Sequence, residues 1–99
     1  MIIAGMSNSK PLAEKIARKL NVDYDDLFLR DSDDGELHVK FNHDVKGKKI
    51  VLVQSLFPYP NHSLFEVMYA ASAARDLGAG KIIYVAPETI SNIPVTLAY

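Results

Sequence analysis

Ile50-Val51-Leu52-Val53 is a continuous apolar run rich in β-branched residues. A run that never alternates with polar residues reads as a strand buried on both faces. Lys81-Ile82-Ile83-Tyr84-Val85-Ala86 repeats the pattern. Between them, Leu64, Met68 and Ala71 recur at helical spacing, and Ala70, Ala73 and Ala74 keep that helix slim. Ser63 and Glu66 have the spacing of a capping box, after a Phe57–Asn61 loop, and Gly78 and Gly80 end the helix. Strand, helix and strand in one sheet imply a right-handed crossover and parallel pairing. This unit rules out an all-helical bundle and an all-β sandwich.

The amino-terminal part repeats the logic. Met1 to Ala4 is a short apolar run ending at Gly5, followed by the turn Met6-Ser7-Asn8-Ser9. Pro11 suits a first helical turn, where its missing N–H costs little. Leu12, Ile16 and Leu20, with Ala13 and Ala17 beside them, form the expected core stripe of a helix ending near Asn21. Lys10, Lys15, Arg18 and Lys19 are expected to face out. Val22 to Leu29 is mixed, with a strand expected around Asp26 to Arg30. Asp31 to Gly35 must turn. Leu37, Val39 and Phe41 then alternate with polar residues, the pattern of a half-solvated strand antiparallel to its neighbour. The expected order is β-α-β-β-β-α-β. The fold class is α/β, with a mainly parallel sheet, flanking helices and an antiparallel strand pair near residues 26–42. Ligands of such sheets sit outside the carboxyl ends of strands, here Gly5 to Ser9, Gln54 to Asn61 and the segment after Pro87.

Composition narrows the function classes. Ninety-nine residues make one small domain, too short for two lobes with a cleft between them. A net charge of −1 gives no general grip on nucleic acid or anionic membrane. The absence of cysteine excludes disulfides, thiolate chemistry and cysteine-ligated zinc. His38, His43 and His62 show no ligand pairing at helical spacing, which argues against zinc. No stretch reaches the roughly 18 apolar residues of a membrane span, and the first residues read as a strand rather than a signal peptide. A cytoplasmic protein is expected.

Three features could carry chemistry. Seven of the twelve acids crowd into one stretch: Asp23, Asp25, Asp26, Asp31, Asp33, Asp34 and Glu36. Carboxylates this dense either hold Mg²⁺ or Ca²⁺ or form a solvated turn on a sheet rim. An EF-hand is excluded, because Gly35 comes one place early and Asn42 stands at the twelfth position. The Gly5–Ser9 turn precedes a helix N-terminus, which favours an anion, or else is a plain strand–helix turn capped by Ser9. His62, Ser63 and Glu66 allow a Ser–His–acid reading, but their spacing at a helix start serves capping first.

The chain resembles the N-terminal domain of ribose-phosphate pyrophosphokinase (PRPP synthetase). Ala4-Gly5-Met6-Ser7-Asn8-Ser9 with Leu12-Ala13 resembles that family's first strand, Gly-Ser turn and first helix. Arg30 to Val39, with Asp34-Gly35-Glu36, resembles its Arg-Phe-x-Asp-Gly-Glu segment. Gln54-Ser55 through Pro60-Asn61 and Leu64-Phe65-Glu66 resembles Gln-Ser-x6-Asn-Asp-x-Leu-Met-Glu, with His62 in place of the Asp after Asn. Ile82 to Pro87 resembles the Val-Ala-Pro strand of archaeal members. The resemblance covers residues 2–87 in one register.

It implies a phosphoribosyltransferase-like domain over residues 1–87 and a divergent tail over 88–99. It also implies a family reaction that moves the β,γ-diphosphoryl group of ATP to the 1-hydroxyl of ribose 5-phosphate with Mg²⁺. The family's Phe-x-Asp-x-Glu positions contact the nucleotide of a neighbouring subunit, and they fall here on Ser32, Asp34 and Glu36. Asp34 and Glu36 would accept hydrogen bonds from the adenine amino group. Ser32 replaces the aromatic that stacks on the base, which weakens such a site. After Pro87 the family's Tyr-x-x-Tyr-Ala-Arg-Gln-Asp, its catalytic-site His and its ribose-phosphate loop have no counterpart, although Leu97-Ala98-Tyr99 echoes an archaeal Leu-Ala-Tyr. The resemblance therefore implies a truncated domain, inactive alone, that forms a homo-oligomer or joins a companion family subunit.

Overall fold

The computed structural model describes residues 1–31, 35–87 and, as backbone, 96–98. The elements are β1 (Ile2–Gly5), α1 (Lys10–Leu20), β2 (Asp23–Asp25), β3 (Phe28–Asp31), β4 (Leu37–Lys40), β5 (Lys49–Val53), α2 (Pro60–Asp76), β6 (Lys81–Val85) and β7 (Thr96–Ala98). The main sheet runs β2-β1-β5-β6-β7, and β3-β4 form a separate pair. β2, β1, β5 and β6 are parallel, β7 joins β6 antiparallel, and β3 pairs β4 antiparallel. The α/β class and the antiparallel pair match the sequence expectation. The strand expected around Asp26 to Arg30 is β3, shifted to Phe28–Asp31, and an unexpected strand, β2, precedes it and pairs with β1.

From β1 the chain crosses to one side for β2, while β5 lies on the other side and leads on to β6. Right-handed crossovers running in opposite directions place their helices on opposite faces. The pleat shows it. Ile2, Ala4, Ile50, Leu52, Ile82 and Tyr84 pack with Val67, Ala70, Ala71 and Ala74 of α2. Ile3 and Val53 pack with Ala13 and Ala17 of α1. Leu37, Val39 and Phe41 face one side as the alternation predicts, and Phe41 is buried.

Both helices turn differently from the expected phase. On α1 the buried residues are Ala13 and Ala17, whereas Leu12 and Leu20 are exposed and Ile16 is half-buried. On α2 the buried residues are Ser63, Glu66, Val67, Ala70, Ala71 and Ala74, whereas Leu64 and Met68 are exposed. Periodicity finds the stripe of large side chains, but a helix lying close on a sheet needs its small side chains inward. The caps differ too. Neither Ser9 nor the start of α2, which begins at Pro60 after Tyr59, has a side-chain cap hydrogen bond. The Ser63–Glu66 capping box is therefore not formed, since Ser63 and Glu66 bond elsewhere. α1 does end at Asn21, which takes the left-handed conformation with φ 55°.

Substitutions should separate the two faces of α2. Ala70→Leu overpacks the helix–sheet contact and should cost about 1–3 kcal/mol. Met68→Ala, on the outer face, should stay within about 0.5 kcal/mol. Urea unfolding of the two variants measures both.

Candidate functional site

The carboxyl ends of β1 and β5 meet where the chain reverses direction across the sheet, the usual ligand crevice of open α/β sheets. Each side of this crevice is a short loop, Met6–Ser9 and Gln54–Tyr59. Gln54 continues the apolar run of β5 and is fully buried. Its backbone N–H donates to Val85 O at 3.2 Å, and its carbonyl accepts from the Tyr84 hydroxyl at 2.9 Å. Its side-chain amide donates to Glu66 Oε1 at 2.9 Å, and its Oε1 accepts from the Asn8 N–H at 3.3 Å. Every polar group of this buried residue is thus engaged, as burial requires.

Glu66 is buried on the inner face of α2. Its carboxylate accepts from the Ser7 hydroxyl at 2.9 Å and the Ser7 N–H at 3.4 Å, and it lies 3.1 Å from His62 Nε2. Asn8 Nδ2 donates to Ser55 O at 2.9 Å, Phe57 O at 3.1 Å and Ser63 Oγ at 3.2 Å. Ser9 Oγ accepts from the Ser55 N–H at 2.8 Å. The two loops are therefore stitched to each other and to α2.

This geometry answers two sequence readings. The Gly5–Ser9 turn precedes a helix, as expected of an anion site. Yet its Ser7 N–H points at Glu66, its Asn8 N–H at Gln54 and its Ser9 N–H at Met6 O. All three N–H groups thus have acceptors within the protein. The Ser–His–acid reading also fails as a nucleophile arrangement. Ser63 binds Asn8, while Ser7 and His62 share one oxygen of Glu66, with no serine on the imidazole.

The acidic stretch divides by role. Asp25 is fully buried and accepts from the Asn42 and His43 backbone N–H groups, both at 2.9 Å, with His43 Nδ1 also at 2.9 Å. Asp26 pairs with Lys10 Nζ at 2.6 Å, tying the start of α1 to the chain after β2. That ammonium holds the Asp26 carboxyl below the usual range. Burial, reinforced by the Asp26 charge, pushes the neighbouring Tyr24 hydroxyl up to about 12. Among the described residues no group of three or more His, Asp or Glu side chains gathers as a metal would require. Asp25 and Asp26 are committed to holding loops.

Of the nucleotide-contacting positions, Ser32 and Asp34 lie outside the described residues, while Glu36 is exposed just before β4. Gly35 beside it has φ +85°, a conformation that side-chain-bearing residues rarely adopt. A cavity of about 250 Å³ opens between this end of the hairpin and α2, lined by Asp31, Leu37, His62, Phe65 and Tyr69 among others. Sequence reasoning missed Asn8 and Gln54 as organisers. Their signal was a polar residue at the end of each buried strand.

The fold defines an open α/β domain with its switch point between β1 and β5 and a separate two-stranded hairpin. Residues 1–90 match the family described as the N-terminal domain of ribose phosphate pyrophosphokinase, and the chain belongs to that family. Among curated relatives, the ribose-phosphate pyrophosphokinase of Mycoplasma genitalium is 34% identical over 87% of this chain and 26% of its own length. That of Thermotoga maritima is 36% identical over 87% of this chain and 27% of its own length. The crystal structure of phosphoribosylpyrophosphate synthetase from Mycobacterium smegmatis superposes with a TM-score of 0.68 at 31% identity, covering 83% of this chain and 27% of that one. The chain thus spans about a quarter of the length of these relatives.

Two measurements test the site. Glu66→Gln sets an amide N–H₂ among donors, and should cost about 1–3 kcal/mol in urea unfolding. In the parent chain, millimolar inorganic phosphate should leave the midpoint unchanged. Tyr24 has a folded-state value above its ordinary 10.0, so its contribution is complete below that value and is lost as pH rises toward about 12. Stability should fall across that window, and less steeply in Tyr24→Phe.

Proposed function

We propose that this chain serves the ribose-phosphate diphosphokinase reaction, in which ATP and ribose 5-phosphate give PRPP and AMP. These 99 residues alone are inactive in that reaction. The observation that carries this reading is the family match over residues 1–90 in a chain spanning about a quarter of its relatives. Phosphoryl transfer needs two phosphate-bearing substrates and Mg²⁺ held in line. The N–H groups of Ser7, Asn8 and Ser9 are already engaged by Glu66, Gln54 and Met6 O, which argues against a phosphate cradle at this crevice.

Asp34 and Glu36 are assigned to the adenine amino group of an ATP bound elsewhere, with Ser32 weakening the contact for want of a stacking ring. The exposure of Glu36 just before β4 supports this reading. ATP and Mg²⁺ would be held largely by the remainder of the enzyme, supplied by a companion family subunit or in a homo-oligomer. The setting assigned is the cytoplasm, and among the described residues no helix is long and apolar enough to cross a membrane. The Val85-Ala86-Pro87 strand end supports an archaeal affinity within the family.

The test is AMP formation from ATP and ribose 5-phosphate. The isolated chain should give none, and adding a polypeptide with the rest of a family member should restore turnover. Clear turnover by the chain alone would refute the inactive reading.

A further inference from the structure

The register of the β3–β4 hairpin sets Leu29 opposite Val39 and Asp31 opposite Leu37. Alternation along each strand puts these four side chains on one face. Leu29 and Val39 rest against the core, so Asp31 brings a carboxylate to an otherwise apolar face. Among the described residues Asp31 has no ion-pair partner. It lines instead the cavity of about 250 Å³ between the hairpin and α2.

The opposite wall is α2. Phe65 and Tyr69, one turn apart, add two aromatic rings to the side chain of Leu37. Glu66 adds a second carboxylate, already held by Ser7, Gln54 and His62. His62 meets that carboxylate through Nε2, at 3.1 Å. A neutral imidazole that donates there through Nε2–H keeps Nδ1 as an acceptor. Among the described residues no Lys or Arg lines the cavity. Its walls thus offer negative charge, acceptors and ring faces, with the Tyr69 hydroxyl as the side-chain donor left over.

We propose that this cavity binds a small organic ammonium, a protonated primary amine on a short apolar stem. The ammonium carries positive charge and donors only, which suits Asp31 and the ring faces of Phe65 and Tyr69. The stem packs against Leu37 and the rings. An anion would meet two carboxylates and no Lys or Arg. A metal ion fares no better, since among the described residues no group of three His, Asp or Glu gathers to hold one. The volume lies below the roughly 300–1,000 Å³ of drug-sized sites, so the occupant is small. Glu36, assigned above to adenine, is not part of these walls, and the two contacts are separate. Binding here requires neither ATP nor ribose 5-phosphate, so its failure leaves the diphosphokinase reading standing.

The experiment is an amide NMR titration of the whole chain with n-butylammonium chloride at neutral pH, against sodium chloride at equal ionic strength. The amides of Leu37, Phe65 and Tyr69 should shift together and saturate, with a dissociation constant on the order of 5 mM. n-Butanol, which keeps the stem and lacks the charge, should bind roughly tenfold more weakly. Asp31→Asn should weaken butylammonium by roughly tenfold, and Phe65→Ala by roughly threefold, while Phe65→Tyr retains it. Asp31 and Phe65 are exposed, so circular dichroism should show these variants folded. Shifts that never saturate, equal binding of butanol, or binding indifferent to Asp31→Asn overturns the proposal. So does displacement of the amine by equimolar Mg²⁺, which would make the cavity a metal site.

Discussion

The carboxylate of Glu66 is the point on which the ligand-facing edge of this domain depends. Buried on α2, it accepts from Ser7 in the β1–α1 loop, from Gln54 at the end of β5 and from His62 one turn back on its own helix. A buried charge is expensive unless surrounded by donors, and these partners supply them. The same contacts fix the two loops that flank the switch point. Stability and occupancy are thus linked: Glu66, Gln54 and the Met6 carbonyl together take the turn's N–H donors, which are then not presented to an external phosphate.

A second carboxylate does comparable work on the other side of β1. Asp25 ends β2 and gathers the backbone N–H groups of Asn42 and His43, which fixes where the β3–β4 hairpin returns to the body. Lys10 and Asp26 anchor the hairpin's entry to the start of α1. The hairpin is held at its base by charge and hydrogen bonds, while Leu29 and Val39 rest against the core. At its other end Gly35 and Glu36 are exposed, and Asp31 and Leu37 face α2 across a cavity.

The strands were the most legible part of the sequence. Ile50–Val53 and Ile82–Val85 appear where continuous apolar runs place them, because burial on both faces leaves no polar position to obscure the pattern. Helix positions were legible but helix phases were not. Leu64 and Met68 look like core, yet Ala70, Ala71 and Ala74 lie against the sheet, where only small side chains fit. β2 was missed, since three residues reading Asp-Tyr-Asp carry no strand pattern, and parallel pairing with β1 makes them one. Of the crevice, the family resemblance singled out the Gln54–Glu66 stretch, whose ends Gln54 and Glu66 meet in a hydrogen bond. Cap spacing misassigned Ser9, Ser63 and Glu66, because long-range partners such as Asn8 and Ser55 took their hydrogen bonds.

By itself, then, the sequence determined the α/β class, the parallel crossovers, the antiparallel hairpin and membership in the pyrophosphokinase N-terminal family. Those follow from local periodicity and from motifs kept in one register. Only the tertiary structure decided which face of α2 is inside, that the N–H groups of the anion-like turn have acceptors within the protein, and that Asp25 and Asp26 hold loops. Each depends on residues distant in the chain meeting across the sheet, Ser7 with Glu66 and Asp25 with His43, and spacing along a sequence carries no record of such meetings.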